Sequence, residues 1–183
     1  MNQKMGIFVG ILLVVVVIVV YFGMSISYKN DEIGLRNRAA AQLEVLQAVF
    51  DNTWKIISQQ AQISEQYKET FKEVYPNIMN ERYGGGTERA LFNFVREHNP
   101  EFDIGLYAKL ADAVQVERTK FTSEQKKMAS IKQEHSNLIQ QWPGSMFLSS
   151  KQPLDWKPLT SAKTKAAFET GEENDVDLFK KAE

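Results

Sequence analysis

Between Lys4 and Lys29 the chain carries no Asp, Glu, Lys, Arg or His. The 24 residues from Met5 to Tyr28 read MGIFVGILLVVVVIVVYFGMSISY. As an α-helix they extend roughly 36 Å, enough to cross a hydrocarbon layer of ~30 Å. Met5, Gly6, Ile7, Phe8, Leu12, Val16 and Val20 lie all around such a helix, so it has no single stripe to turn towards a globular core. Tyr21, Phe22 and Tyr28 cluster at its far end, where aromatic rings suit the headgroup level. A cleaved signal peptide is the rival reading, with Gly23 and Ser25 as small residues before a cut. Its apolar core usually runs only about 7–15 residues, which favours an uncleaved anchor. Basic residues near the run lean towards a cytoplasmic carboxyl side by two charges, which leaves the facing open.

This feature divides the chain. Residues 1–4 form a short tail, 5–28 a transmembrane helix, and 29–148 a helical bundle. Residues 149–168 are expected to pack on that bundle, and 169–183 to form an acidic disordered tail. Mean hydropathy is negative despite the greasy start, so the remainder is strongly polar. Lys and Arg total 22 against 23 Asp and Glu, and they are interleaved along the expected helices. That pattern describes a solvated face, and no nucleic-acid partner is expected. The chain has no Cys, which excludes disulfides, thiol catalysis, Cys-ligated zinc and a lipid-modified cysteine anchor.

From Arg36 to Tyr75 there is no Gly or Pro. Leu43, Leu46, Phe50, Ile57, Tyr67, Phe71, Val74 and Ile78 keep three/four spacing if Thr53, Gln60 and Ser64 fill the gaps, which predicts one long amphipathic helix. Pro76 should kink or end it, and Gly84–Gly86 should break it. Thr87 is a plausible cap for a short helix over ERALFNFVREH, and Asn99-Pro100 for the start of the next. That last helix carries the most regular pattern: Tyr107, Leu110, Val114, Glu117, Phe121, Glu124, Met128, Ile131, His135, Leu138 and Trp142. Eight of these eleven are apolar or aromatic, a coiled-coil-like seam with three polar insertions. Pro143-Gly144 stops it.

The expected fold is therefore all-α: an N-terminal transmembrane helix, then an antiparallel bundle of two long helices with one or two short ones. Antiparallel packing buries more of both seams than parallel packing does. It predicts Leu43 near Trp142, Ile78 near Tyr107, and a structural polar layer in which Gln60 and Ser64 meet Glu124. Glu117 and Glu124 share a face two turns apart; as a pair they could hold a cation, but fixing helix register is the commoner use of polar seam residues. His135 is the third polar insertion. His98 and His135 lie on different segments without metal-ligand spacing, so no metal and no cofactor are expected. The three Trp residues are expected in core packing.

In VERTKFTSEQKKMASIKQEHSNLIQQWP, an early Glu117, Phe121, the seven-residue beat at Met128 and His135, and Trp142-Pro143 resemble the last long helix of the LemA family. EHNPEF, Glu97 to Phe102, resembles that family's Glu-x-Tyr-Pro-x-Leu turn, and LRNRAAAQLEVLQ the start of its first soluble helix. Both of the family's Tyr-Asn pairs are replaced here, by Met128-Ala129 and His135-Ser136. The resemblance covers roughly residues 5–148 and implies a membrane-tethered helical bundle, with no catalytic chemistry attached. The function expected is a non-enzymatic membrane-anchored interaction or scaffold protein, its partners the lipid bilayer and other membrane or envelope proteins. The alternative is a tethered ligand-binding or sensory bundle that signals through a partner.

Overall fold

The computed structural model describes residues 3–80, 86–160 and 169. Among these the regular structure is helical throughout: α1 (Gln3–Gln60), α2 (Lys68–Asn80), α3 (Gly86–His98), α4 (Tyr107–Gln140) and α5 (Gly144–Leu148), with 3-10 turns at Glu65–Tyr67 and Ile104–Leu106. The protein is all-α, as its sequence pattern predicts. The turns expected in SAKTKAAFE and the acidic tail fall outside the described residues, apart from Glu169. The chain divides into two compact units, Met1–Ala41 with Met128–Trp156, and Gln42–Lys127 with Lys157–Glu183.

The second unit corrects the single long helix expected over 36–75. α1 stops at Gln60, in a stretch rich in helix formers with neither Gly nor Pro. Gln62 adopts a left-handed backbone, φ 51°, and the Ile63 amide donates back to the Ser58 carbonyl at 2.9 Å. This is a Schellman-type helix end, with Gln where glycine is usual. The Asn99 side chain donates to the Ala61 carbonyl at 2.8 Å, and the Trp54 indole donates to Glu65 at 2.7 Å. With these groups satisfied, the chain reverses and α2 runs back along α1, its Lys68 paired to Asp51 at 2.9 Å. A left-handed residue other than Gly is strained by roughly 1–2 kcal/mol. Gln62→Gly is therefore expected to stabilise this unit by about 0.5–1 kcal/mol after the entropy of glycine is counted, read as a raised denaturation midpoint.

Four helical pieces surround the second unit's core. Trp54 and Ile57 come from α1, with Ala61 just beyond its end; Phe71, Tyr75, Ile78 and Met79 from α2; Leu91, Phe94 and Val95 from α3; Leu110, Val114 and Phe121 from α4. Phe71 is 0 % exposed, its ring centroid 5.3–5.6 Å from those of Phe50, Trp54, Tyr75 and Phe94. Tyr75 carries the contact on to Phe121 of α4 at 5.4 Å. Three expected boundaries move. α2 continues four residues beyond Pro76. The 3-10 turn ahead of α4 is capped by Asp103, whose carboxylate accepts from the Gly105 amide at 2.8 Å, while Asn99-Pro100 forms a turn closed by the Phe102 amide on the Asn99 carbonyl. α3 begins at Gly86, which puts Thr87 inside its first turn.

In the first unit α1 and α4 run antiparallel: Arg38 meets Glu134 at 2.8 Å, and Glu32 meets His135. Leu35, Ala39, Met128, Ile139 and Leu148 are buried. α5 folds back tightly on the end of α4; a Cβ added at Gly144 would lie 2.0 Å from the Leu138 carbonyl oxygen. The Phe147 ring stacks on Tyr28 at 5.5 Å and meets Tyr21 at 5.2 Å. Residues beyond α5 are held through main-chain carbonyls: Gln152 accepts from Arg36 at 2.8 Å, and Trp156 accepts from Lys132.

Candidate functional site

The three polar insertions on the α4 seam are the natural places to look for chemistry. Glu117 is buried and accepts from Asn52 at 3.1 Å; its second oxygen has no hydrogen-bond partner among the described residues. Glu124 accepts from Gln42 at 2.8 Å and pairs with Lys127 at 2.8 Å. The Lys127 and Gln42 hydrogen bonds hold its carboxyl below the ordinary carboxylate value. His135 is fully buried and donates through Nε2 to Glu32 Oε1 at 3.2 Å.

Gln60 and Ser64, expected to meet Glu124, are both exposed and take no part. The cause is the early end of α1: the residues that reach α4 lie further towards the amino terminus. On α1 the inward positions are Glu32, Leu35, Ala39, Gln42, Leu46, Val49, Thr53 and Ile57, while Leu43 is 40 % exposed. Leu43, expected near Trp142, belongs to the second unit and Trp142 to the first. Gln42 is bonded to Glu124, eighteen residues before Trp142, and Trp142 shares a groove with Tyr28. Nor is Trp142 core: it is 81 % exposed, whereas Trp54 is buried.

Sequence reasoning missed Glu32, the centre of the most concentrated charge cluster. Its carboxylate is 1 % exposed, bonded to Arg36 one helical turn on, to His135 of α4, and 3.5 Å from Lys151 beyond α5. Burial opposes ionisation, but the hydrogen bonds from Arg36 and His135 and the charges of Arg36 and Lys151 outweigh it. The carboxyl stays below its ordinary value. One carboxylate thus ties α1, α4 and the return segment together. No group of three or more metal-ligating side chains is present among the described residues. In the second unit, burial pushes the Tyr75 phenol well above its ordinary value; the neighbouring Thr53 hydroxyl opposes that shift and the Glu117 charge adds to it.

A groove of about 610 Å³ opens on the first unit, lined by Tyr28, Asn30, Asp31, Arg38, Glu134, Asn137, Gln141 and Trp142 among others. Glu32 and His135 do not line it, so the charge cluster and the groove are separate features.

The residues expected to meet lipid are uncovered. Met5, Ile7, Phe8, Leu12, Val16, Val20, Tyr21 and Phe22 are 48–68 % exposed, Gly6 is exposed, and only Tyr28 is partly covered. Among the described residues α1 is the one helix long and apolar enough to cross a membrane, and none of its most apolar window is buried. No family model, characterised protein or solved structure matches this chain.

Proposed function

We propose that the chain is a single-pass, membrane-anchored helical scaffold that presents interaction surfaces next to the bilayer and carries no catalytic chemistry. The observation behind this reading is the contrast within α1. Its opening residues are apolar and wholly uncovered, while from Glu32 onward one stripe is buried against α4. Uncovered apolar surface of that length is costly in water and suits lipid. A tether also confines the helical units to a surface, so weak contacts with neighbouring proteins gain effective concentration. The LemA-like residues, from the α1 start to Trp142-Pro143, support the same reading of a tethered bundle. Fractionation of cells tests the anchor: the full-length chain should stay with membranes through an alkaline wash. A soluble product lacking the first two dozen residues would overturn it. Crosslinking in membranes followed by detergent extraction should then recover a discrete partner band; a chain that stays uncrosslinked and monodisperse would overturn the scaffold role.

The groove beside Tyr28 and Trp142 favours one second reading, a tethered ligand-binding bundle, because it combines aromatic walls with the polar side chains of Asn30, Asn137 and Gln141. A small polar ligand that raises the melting temperature of the full-length chain, and loses that effect in Asn137→Ala, would carry this reading over the first.

A further inference from the structure

We propose that α5 and the turn before it form a second membrane contact, with Trp142 and Met146 seated in the headgroup layer beside the point where α1 leaves the bilayer. The inference rests on α1 being the anchor. The uncharged run ends at Tyr28, and Tyr21 lies seven residues earlier, roughly 10 Å deeper along the helix. Phe147 touches both rings, at 5.2 Å to Tyr21 and 5.5 Å to Tyr28. Its depth is therefore fixed between theirs, across the boundary of the hydrocarbon.

α5 cannot swing away from that level without losing a close backbone fit. The Gly144 backbone is pressed against the Leu138 carbonyl, and a Cβ there would also fall 3.6 Å from the Tyr28 ring. Leu148 is buried, so the helix is pinned from below, yet Met146 is 56 % and Trp142 81 % exposed. Phe22 and Ile26 of α1 are likewise 60 % and 59 % exposed. Phe147 thus holds the exposed apolar side chains of α5 at the level of the α1 aromatics, while Trp142, which also lines the groove with Asn30, Asp31, Arg38 and Glu134, marks the polar edge of that level. Trp at such a level has its indole body in the acyl boundary and its N–H among headgroups. Two points of attachment, one spanning and one lying in the interface, fix the tilt of the first unit over the membrane; one anchor alone leaves it free to pivot.

The absence of Cys makes the test direct. Single-cysteine forms Val15→Cys, Met146→Cys and Ser130→Cys of the full-length chain are spin-labelled in phosphatidylcholine vesicles, with circular dichroism confirming the helix content of each. Collision with dissolved oxygen reports lipid, and collision with a nickel chelate reports water. The expected result is a deep label at Val15, an aqueous label at exposed Ser130, and an oxygen-to-nickel ratio at Met146 severalfold above that of Ser130. A Met146 label as wet as Ser130 while Val15 is deep overturns the second contact and leaves the anchor standing. A Met146 label shielded from both reagents overturns it too, because protein would then cover the site. A wet label at Val15 overturns the anchor and this inference together.

Discussion

Replacing Phe71 by alanine should destabilise the second unit by about 3–5 kcal/mol, the range for removing a fully buried aromatic from a core. The ring is 0 % exposed and lies at the meeting point of three helices: Phe50 and Trp54 of α1, Tyr75 of α2 itself, and Phe94 of α3. Four aromatic neighbours spread over three helices cannot all close in on the space left behind, so the cavity term adds to the lost transfer energy. Ring–ring contacts add further, about 0.5–1.5 kcal/mol each beyond simple burial. Domains of this size hold roughly 5–15 kcal/mol in total, so the change removes a large share of what the unit has. Phe92→Ala is the matched comparison: that ring is only partly buried and packs on Tyr107 at 5.3 Å, with Arg96 over its face. Urea denaturation of both variants in detergent, followed by far-ultraviolet circular dichroism, should show a much lower midpoint for Phe71→Ala. Equal midpoints would mean that the aromatic cluster does not hold these helices together.

Phe71 was legible in the sequence as an apolar seam residue, but its true setting was not. The three/four pattern of α4 could be read residue by residue because nothing interrupts it: every seam position from Tyr107 to Leu138 is at least partly buried, and only Trp142 at the end is not. The α1–α2 reversal left no comparable mark. Helix formers lie on both sides of it, and the residue that turns the chain is Gln62, a type that rarely adopts a left-handed backbone. What enforces the turn is tertiary: Asn99 takes the Ala61 carbonyl and Trp54 holds Glu65, and both depend on how the unit folds. A pattern read across the break looked continuous because Phe71 and Ile78 happen to keep the phase of Phe50 and Ile57.

The polar positions tell a similar story. Glu117, Glu124 and His135 stood out because each interrupts an apolar seam. Their partners Asn52, Gln42 and Glu32 are ordinary residues on a helix whose inward phase could be fixed only with its end known. One signal was available: from Glu32 to Thr53 the stripe Glu32, Leu35, Ala39, Gln42, Leu46, Val49, Thr53 keeps three/four spacing with scattered polar insertions, as α4 does. Two seams with polar members of that kind can be matched. Sliding one against the other until carboxylates met amides or a histidine would have come close to the observed register.

The matched pair nearest the amino terminus sets the second large effect. Glu32→Ala should cost the first unit about 3 kcal/mol at neutral pH, the lower end of the range for breaking a buried ion pair. His135 is fully buried and loses the acceptor for its Nε2 proton, with no hydrogen-bond partner at its Nδ1 among the described residues. Arg36 and Lys151 keep the cost from rising further, because their side chains are 39 % and 42 % exposed and can turn to water. The double replacement Glu32→Leu with His135→Leu should be less damaging than Glu32→Ala alone, since it leaves neither partner buried and unpaired. Acid provides an independent check. The folded carboxyl titrates below its ordinary value near 4.5, so its contribution is fully present above that pH and fades as pH falls through the folded value. The gap in unfolding midpoint between the parent chain and Glu32→Ala should therefore be widest at neutral pH and close on acidification. A gap that stays constant from neutral pH down past the ordinary carboxylate range would show that the Glu32 side chain contributes packing alone and that its charge stabilises nothing.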